Sequence, residues 1–198
     1  MAYRPTMVDL ERKVRRYIGD PADDTQVWTP LEVQDTLDRY RTEVRYGLLR
    51  PTPALTPGGV QNFTIYQAPI GDWENNEVIY NSSFNPITPA SADRNVGRWT
   101  LSVSTYPPIM ILGFYYDVEA AAVELLEARM ATLYRAYDFS PFAGGTFRRS
   151  QIFDHLQILA DQCRAKMRPQ RAIMQRSDIQ NPQETLDTII GTNGINIW

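Results

Sequence analysis

Residues 51–113 hold eight of the chain's fourteen prolines but only two basic and four acidic side chains. Proline fixes φ and removes a backbone donor, so a stretch punctuated at 51, 53, 57, 69, 86, 89, 107 and 108 cannot run as a long helix. Between the prolines lie short alternating runs. Phe63 and Ile65 alternate with Asn62 and Thr64, Leu101 and Val103 alternate with Thr100, Ser102 and Ser104, and Val78-Ile79-Tyr80 makes a third. Gly58-Gly59 and Asn75-Asn76 add turn signals. The spacing predicts a small antiparallel lobe or a long hairpin arm.

The flanks are charged and helical in pattern, with nine basic and nine acidic residues in 1–50 and seven of each in 114–168. A first helix is expected from Thr6, a cap paired with Asp9, with Leu10, Val14, Tyr17 and Ile18 on one stripe and Gly19 ending it. A second starts at the cap Thr29, with Pro30 in the first turn, Glu32 completing a capping box and Trp28 placed to staple onto Val33. Val33, Leu37, Tyr40 and Val44 extend its apolar face, opposite Asp35, Asp38, Arg39 and Glu43. A third is expected over Val118–Tyr137. Its small residues Ala120, Ala121 and Ala122, with Val118, Leu125, Leu126, Met130 and Leu133, predict contacts on more than one side. Ile152, Leu156, Leu159, Cys163 and Met167 mark a fourth, closed by Pro169. The expected fold is mainly α: an antiparallel four-helix bundle built from residues 1–50 and 114–168, with 51–113 as an inserted β-rich lobe and 169–198 as an extended C-terminal tail.

The residue inventory narrows the chemistry. A single histidine, His155, excludes sites needing two imidazoles, and a single cysteine, Cys163, excludes an internal disulfide and cysteine-based metal sites. No GxxxxGK[ST], GxGxxG or GxSxG string occurs. The opening MAYRPTMVDLERK has no apolar core of a secretion signal, and the longest apolar run, Ile109–Tyr116, is too short to span a bilayer. The expectation is no membrane, no cofactor, no metal and no catalytic residue. A formal charge of −3 argues against tight, sequence-independent binding to nucleic acid. Lysine occurs only at 13 and 166, against eighteen arginines; that excess fits either a nucleotide-composition bias of the genome or the use of forked guanidinium groups to pair with carboxylates between subunits.

His155 and Cys163 are the obvious base and nucleophile, but eight residues on one helix separate them by about 12 Å, so they cannot share a hydrogen bond. Cys163 also falls on the apolar stripe. Asp23, Asp24, Glu124 and Glu127 qualify as acid–base pairs by residue type alone, and Arg129 and Arg135 share a helix with the last two. Arg148 and Arg149, after Gly144-Gly145-Thr146, fit a phosphate cradle, a subunit contact or a DNA-facing patch. The Asn62 and Asn81 sequons read as chance matches. The tail ends in Ile195, Ile197 and Trp198, the two isoleucines alternating with Gly194 and Asn196. That pattern suits docking onto its own subunit, or strand addition or pocket insertion into a partner.

Several stretches resemble the head–tail connector (adaptor) proteins of tailed bacteriophages. Leu10-Glu11-Arg12-Lys13-Val14-Arg15-Arg16-Tyr17-Ile18-Gly19-Asp20 and Val27 to Tyr40 resemble that family's first two helices. Tyr115-Tyr116-Asp117-Val118-Glu119-Ala120-Ala121-Ala122, leading into Leu125-Leu126-Glu127, is similar to its central helix, and Phe147-Arg148-Arg149-Ser150-Gln151 to the approach to its last. The resemblance covers residues 8–49 and 109–168; the 51–113 insert departs from the smallest members of that family, and no role carries over to it. It implies a homo-oligomeric ring, commonly a dodecamer, under the portal protein at the capsid vertex. Such a ring is assembled in the host cytoplasm, resides in the virion neck, meets a tail or other neck protein, and lets DNA pass through its lumen. It further implies that Ile195, Ile197 and Trp198 reach into the portal. The alternatives are another neck or tail-completion ring (a stopper or terminator), a DNA-binding regulatory protein, and, more distantly, an enzyme.

Overall fold

The computed structural model describes residues 2–21, 26–55, 59, 61–134 and 149–168. A 3₁₀ turn, Pro5–Met7, leads into α1 (Val8–Ile18), and α2 (Pro30–Arg39) follows. Seven strands come next: β1 (Arg41–Leu55), β2 (Gln61–Gln67), β3 (Val78–Tyr80), β4 (Pro86–Ile87), β5 (Ser91–Asp93), β6 (Arg98–Thr100) and β7 (Ile109–Tyr116). Two helices, α3 (Val118–Tyr134) and α4 (Arg149–Arg164), complete the described chain.

A mainly helical bundle with a small insert is not what forms. The strands make one seven-stranded antiparallel sheet in the order β4-β3-β7-β1-β2-β6-β5, which reaches past residues 51–113 at both ends. Its spine is β7, the apolar run Ile109–Tyr116, whose backbone is satisfied by β3 on one side and β1 on the other. To supply that second neighbour the chain leaves α2 at Tyr40, and Arg41 to Leu49 pair with Tyr116 to Ile109. Val44 therefore lies on β1 opposite Gly113 rather than on α2, its seven-residue spacing from Leu37 being coincidental.

The two edge strands, β4 and β5, are joined by residues 88–90 alone. A flat sheet would hold them about 29 Å apart at ~4.8 Å per step, whereas the four steps from Ile87 to Ser91 reach at most ~14 Å. The sheet must therefore curl, and Trp73, Trp99, Tyr66, Ile79, Ile109 and Ile111 fill the inside of the curl as a buried core. Pro86 and Pro89 sit at its seam, where missing donors discourage further strand pairing.

The helical layer has a separate core. Leu10, Val14 and Ile18 of α1, Val33 and Leu37 of α2, and Leu156, Ala160 and Cys163 of α4 meet α3 through Val118, Ala121, Ala122, Leu125 and Leu126. The alanines let α3 approach α1, α2 and α4 together, so its breadth does reflect contacts on several sides. Gly19 ends α1 at φ 64°, and Thr29 and Glu32 form the reciprocal capping box that starts α2. Thr6 caps nothing: the 3₁₀ turn intervenes, and its hydroxyl donates instead to Glu74. The expected strand at Leu101–Val103 is also absent. Pairing stops at Thr100, Leu101 turns into the core and Val103 is exposed. The expected extension of the third helix to Tyr137, and Pro169, lie outside the described residues.

Candidate functional site

The charge-poor segment concentrates its acids. Asp72, Glu74 and Glu77 flank the turn between β2 and β3, and that turn is pressed between the sheet and the helical layer. Tyr116 donates its backbone N–H to Asp72, and Glu74 donates its own to Phe114, so the turn is laced to the end of β7. Trp73 points into the sheet core, 5.5 Å from the Trp99 ring in an edge-on contact. Gly97, at φ 72°, lets the opposing turn close: a Cβ there would lie 2.4 Å from the Ile70 carbonyl oxygen.

The two carboxylates are buried and answered from both layers. Glu74 accepts from the Thr6 hydroxyl and the Tyr116 phenol, each at 2.6 Å, and Arg4 Nε lies 3.6 Å away. Arg4 also pairs with Asp38 of α2. Burial, and then the bond to Glu74, raise the Tyr116 phenol above the ordinary tyrosine range. Asp72, held at φ 63°, accepts from Lys13 Nζ at 2.5 Å and from Arg168 at 3.1 Å. Burial raises its carboxyl, with Lys13 opposing. Arg168 reaches further, donating to the Tyr116 and Gly71 carbonyls at 3.0 and 3.2 Å and stacking over Tyr115. Its backbone N–H donates to Asp117. This joint welds the helices to the sheet and clamps the chain at the residue from which 169–198 run on.

The sequence-selected chemistry does not converge. His155 is exposed on α4 while Cys163, on the same helix, is buried, and burial pushes its thiol up, away from nucleophilic form. Glu124 pairs with Arg39 and Glu127 with Arg164, so these acids tie α3 to α2 and α4 within the chain. Arg149 opens α4. Asp23, Asp24, Arg148, the Arg149 side chain, Ile195, Ile197 and Trp198 lie outside what is described. Among the described residues no histidine, cysteine, aspartate or glutamate group could hold a metal ion, and no helix is long and apolar enough to cross a membrane.

Asp72, Glu74, Arg4 and Arg168 are the residues that sequence reasoning passed over. Their signal was present in Gly71-Asp72-Trp73-Glu74, where two acids bracket a tryptophan in a stretch nearly free of charge. Compared with known proteins, the chain matches no family model, no curated protein and no solved structure.

Proposed function

We propose that the chain is a structural head–tail adaptor of a tailed bacteriophage, one subunit of a ring below the portal that joins capsid to tail and passes DNA. The observation that carries this reading is the placement of α1, α2 and α3 within the stretches that resemble the connector family, together with the joint that makes them one body with the sheet. A ring subunit must transmit force between two neighbours and two axial partners, and a welded two-layer body suits that work. The clamp at Arg168 gives residues 169–198 a fixed point of departure, which favours a tail reaching for a partner through Ile195, Ile197 and Trp198. A net charge of −3 suits a lumen through which DNA slides without being held.

Native mass spectrometry and electron microscopy of the chain with a portal protein test the reading. A ring seated on the portal is expected, and deletion of residues 190–198 is expected to release it. A chain that ignores the portal and adds no density at the neck overturns the proposal.

A further inference from the structure

The sequence has two lysines, at 13 and 166, and the fold sets both against one ring: Lys13 Nζ lies 5.9 Å and Lys166 Nζ 5.7 Å from the centre of Tyr17. Beside them is the carboxylate of Asp72, its side chain 5% exposed, which accepts from Lys13 at 2.5 Å and from Arg168 at 3.1 Å. The charged and titratable groups around it come from every element of the joint. They are Lys13 and Tyr17 of α1, Glu119 of α3, Cys163 of α4, Lys166 and Arg168 beyond α4, Tyr115 of β7 under Arg168, and Glu74 in the same turn. Glu119 is itself engaged by the Tyr17 hydroxyl at 3.2 Å, and Glu74 by Thr6 and Tyr116.

Folding alone has little use for a charge at this position. Asp72 sits at φ 63°, where asparagine is at least as comfortable, and burial raises its carboxyl above the ordinary aspartate range, so the charged form costs the folded state. What the charge secures is a pair of cations from remote parts of the chain, 59 residues before it and 96 after. Asp72 is pinned independently of them, by Trp73 in the sheet core and by the Tyr116 N–H on its carbonyl. Arg168 is held less firmly. Its other ties are the Tyr116 and Gly71 carbonyls, the face of Tyr115 and one backbone bond to Asp117, and its side chain is 28% exposed.

We infer that Asp72 is a proton-operated latch on residues 165–168: charged, it holds Arg168 down, and protonated, it lets that segment swing off the joint while the rest of the unit stays folded. The sign follows from what moves. Opening takes a cation away from a carboxyl that stays in place, so the open form holds a proton more tightly than the closed one, and acid favours opening. Because the closed form already takes its proton above the ordinary aspartate range near ~4, the latch responds to mild acid. Unfolding of the whole unit has the opposite sign. It relieves the burial that raises the carboxyl, so the same proton steadies the body as it frees the segment. Local loosening without global loss is therefore the signature. The latch rests on the joint alone and not on the adaptor reading, and it governs whether the chain enters residue 169 from a fixed point or a loose one.

The full chain tests this with its own two lysines, since a lysine-specific protease can cut only after 13 and 166. Cutting after Lys166 needs extended chain on both sides of the bond, so its rate tracks the open population. Asp72→Asn keeps the shape and the left-handed backbone but not the charge. It is expected to be cut there about tenfold faster than the unaltered chain, with a melting temperature unchanged or higher. Hydrogen-exchange mass spectrometry, corrected for intrinsic rates, should show residues 165–168 of the unaltered chain losing about tenfold in protection between about pH 7.5 and about pH 5. That change should be absent from Asp72→Asn and from Arg168→Ala. An unaltered chain whose protection there ignores pH, an Asp72→Asn protein cut no faster, or an Arg168→Ala protein that still responds to acid overturns the latch. So does a fall in the Asp72→Asn melting temperature with cutting after both lysines, which makes the residue a structural strut.

Discussion

Asp20 is the residue on which the connection from α1 to α2 turns, and replacing it with alanine has a cost that can be worked through. The carboxylate is 2% exposed and accepts three hydrogen bonds: from Val27 N at 2.7 Å, Trp28 N at 3.1 Å and Arg15 at 3.0 Å. Arg15, 4% exposed, also donates to Glu11 and to the Trp28 carbonyl. Alanine removes a charged acceptor worth about 1.5–3 kcal/mol per bond and leaves Arg15 buried with one carboxylate instead of two. Bonds to one group are not additive. The penalty for breaking a buried pair, roughly 3–5 kcal/mol, therefore sets the scale, and about 4 kcal/mol is expected. For a unit of this size that corresponds to a fall of about 8–16 °C in melting temperature. Urea unfolding followed by tryptophan fluorescence reads the loss directly. Arg15→Met tests the cause: in that background Asp20→Ala should cost about 2 kcal/mol less, because the charge it would strand is gone. A loss under about 1 kcal/mol, or strict additivity of the two changes, refutes the argument.

Other expectations follow from the joint and the core. Gly97→Ala forces a Cβ into the Ile70 carbonyl at a positive φ, so a loss of about 2–4 kcal/mol is expected in the same urea assay. Arg168→Ala should leave the global melting temperature within a few degrees yet speed amide exchange at Asp72–Glu74 and Tyr116, read by hydrogen-exchange mass spectrometry. Burial, and then the neighbouring Glu119 carboxylate, raise the Tyr17 phenol to about 12. The folded state thus holds that proton more tightly than the unfolded chain, so Tyr17's contribution is complete below pH ~10 and is lost as pH climbs toward ~12. Tyr17→Phe should flatten that alkaline fall in melting temperature, and an unchanged slope would remove the assignment.

Much of the helical layer could be read directly, because its signals are local. Thr29-Pro30 with Glu32, the left-handed stop at Gly19, and the spacing of Leu10, Val14 and Ile18 each act within a turn or two of chain. The proline-rich stretch likewise announced strands and turns, and Phe63, Ile65 and Val78–Tyr80 lie on them. The sheet's extent did not announce itself. Arg41–Leu49 has no strand pattern strong enough to outweigh the helical spacing of Val33, Leu37, Tyr40 and Val44. It becomes β1 because β7, sixty and more residues away, has a buried backbone edge to satisfy. Thr6 looks like a cap for the same reason in reverse: its partner, Glu74, is remote in sequence.

What the sequence alone determined, then, is where α1 stops and α2 starts, where helices cannot run, and that one histidine and one cysteine eight residues apart on one helix cannot meet. The tertiary structure decided the rest: a curled seven-stranded sheet in place of a bundle's insert, and the joint of Arg4, Asp72, Glu74, Tyr116 and Arg168. The division has one physical cause. Capping and periodicity are settled by neighbours along the chain. Strand pairing, buried ion pairs and surface shape are settled by neighbours across space, which only the folded chain brings together.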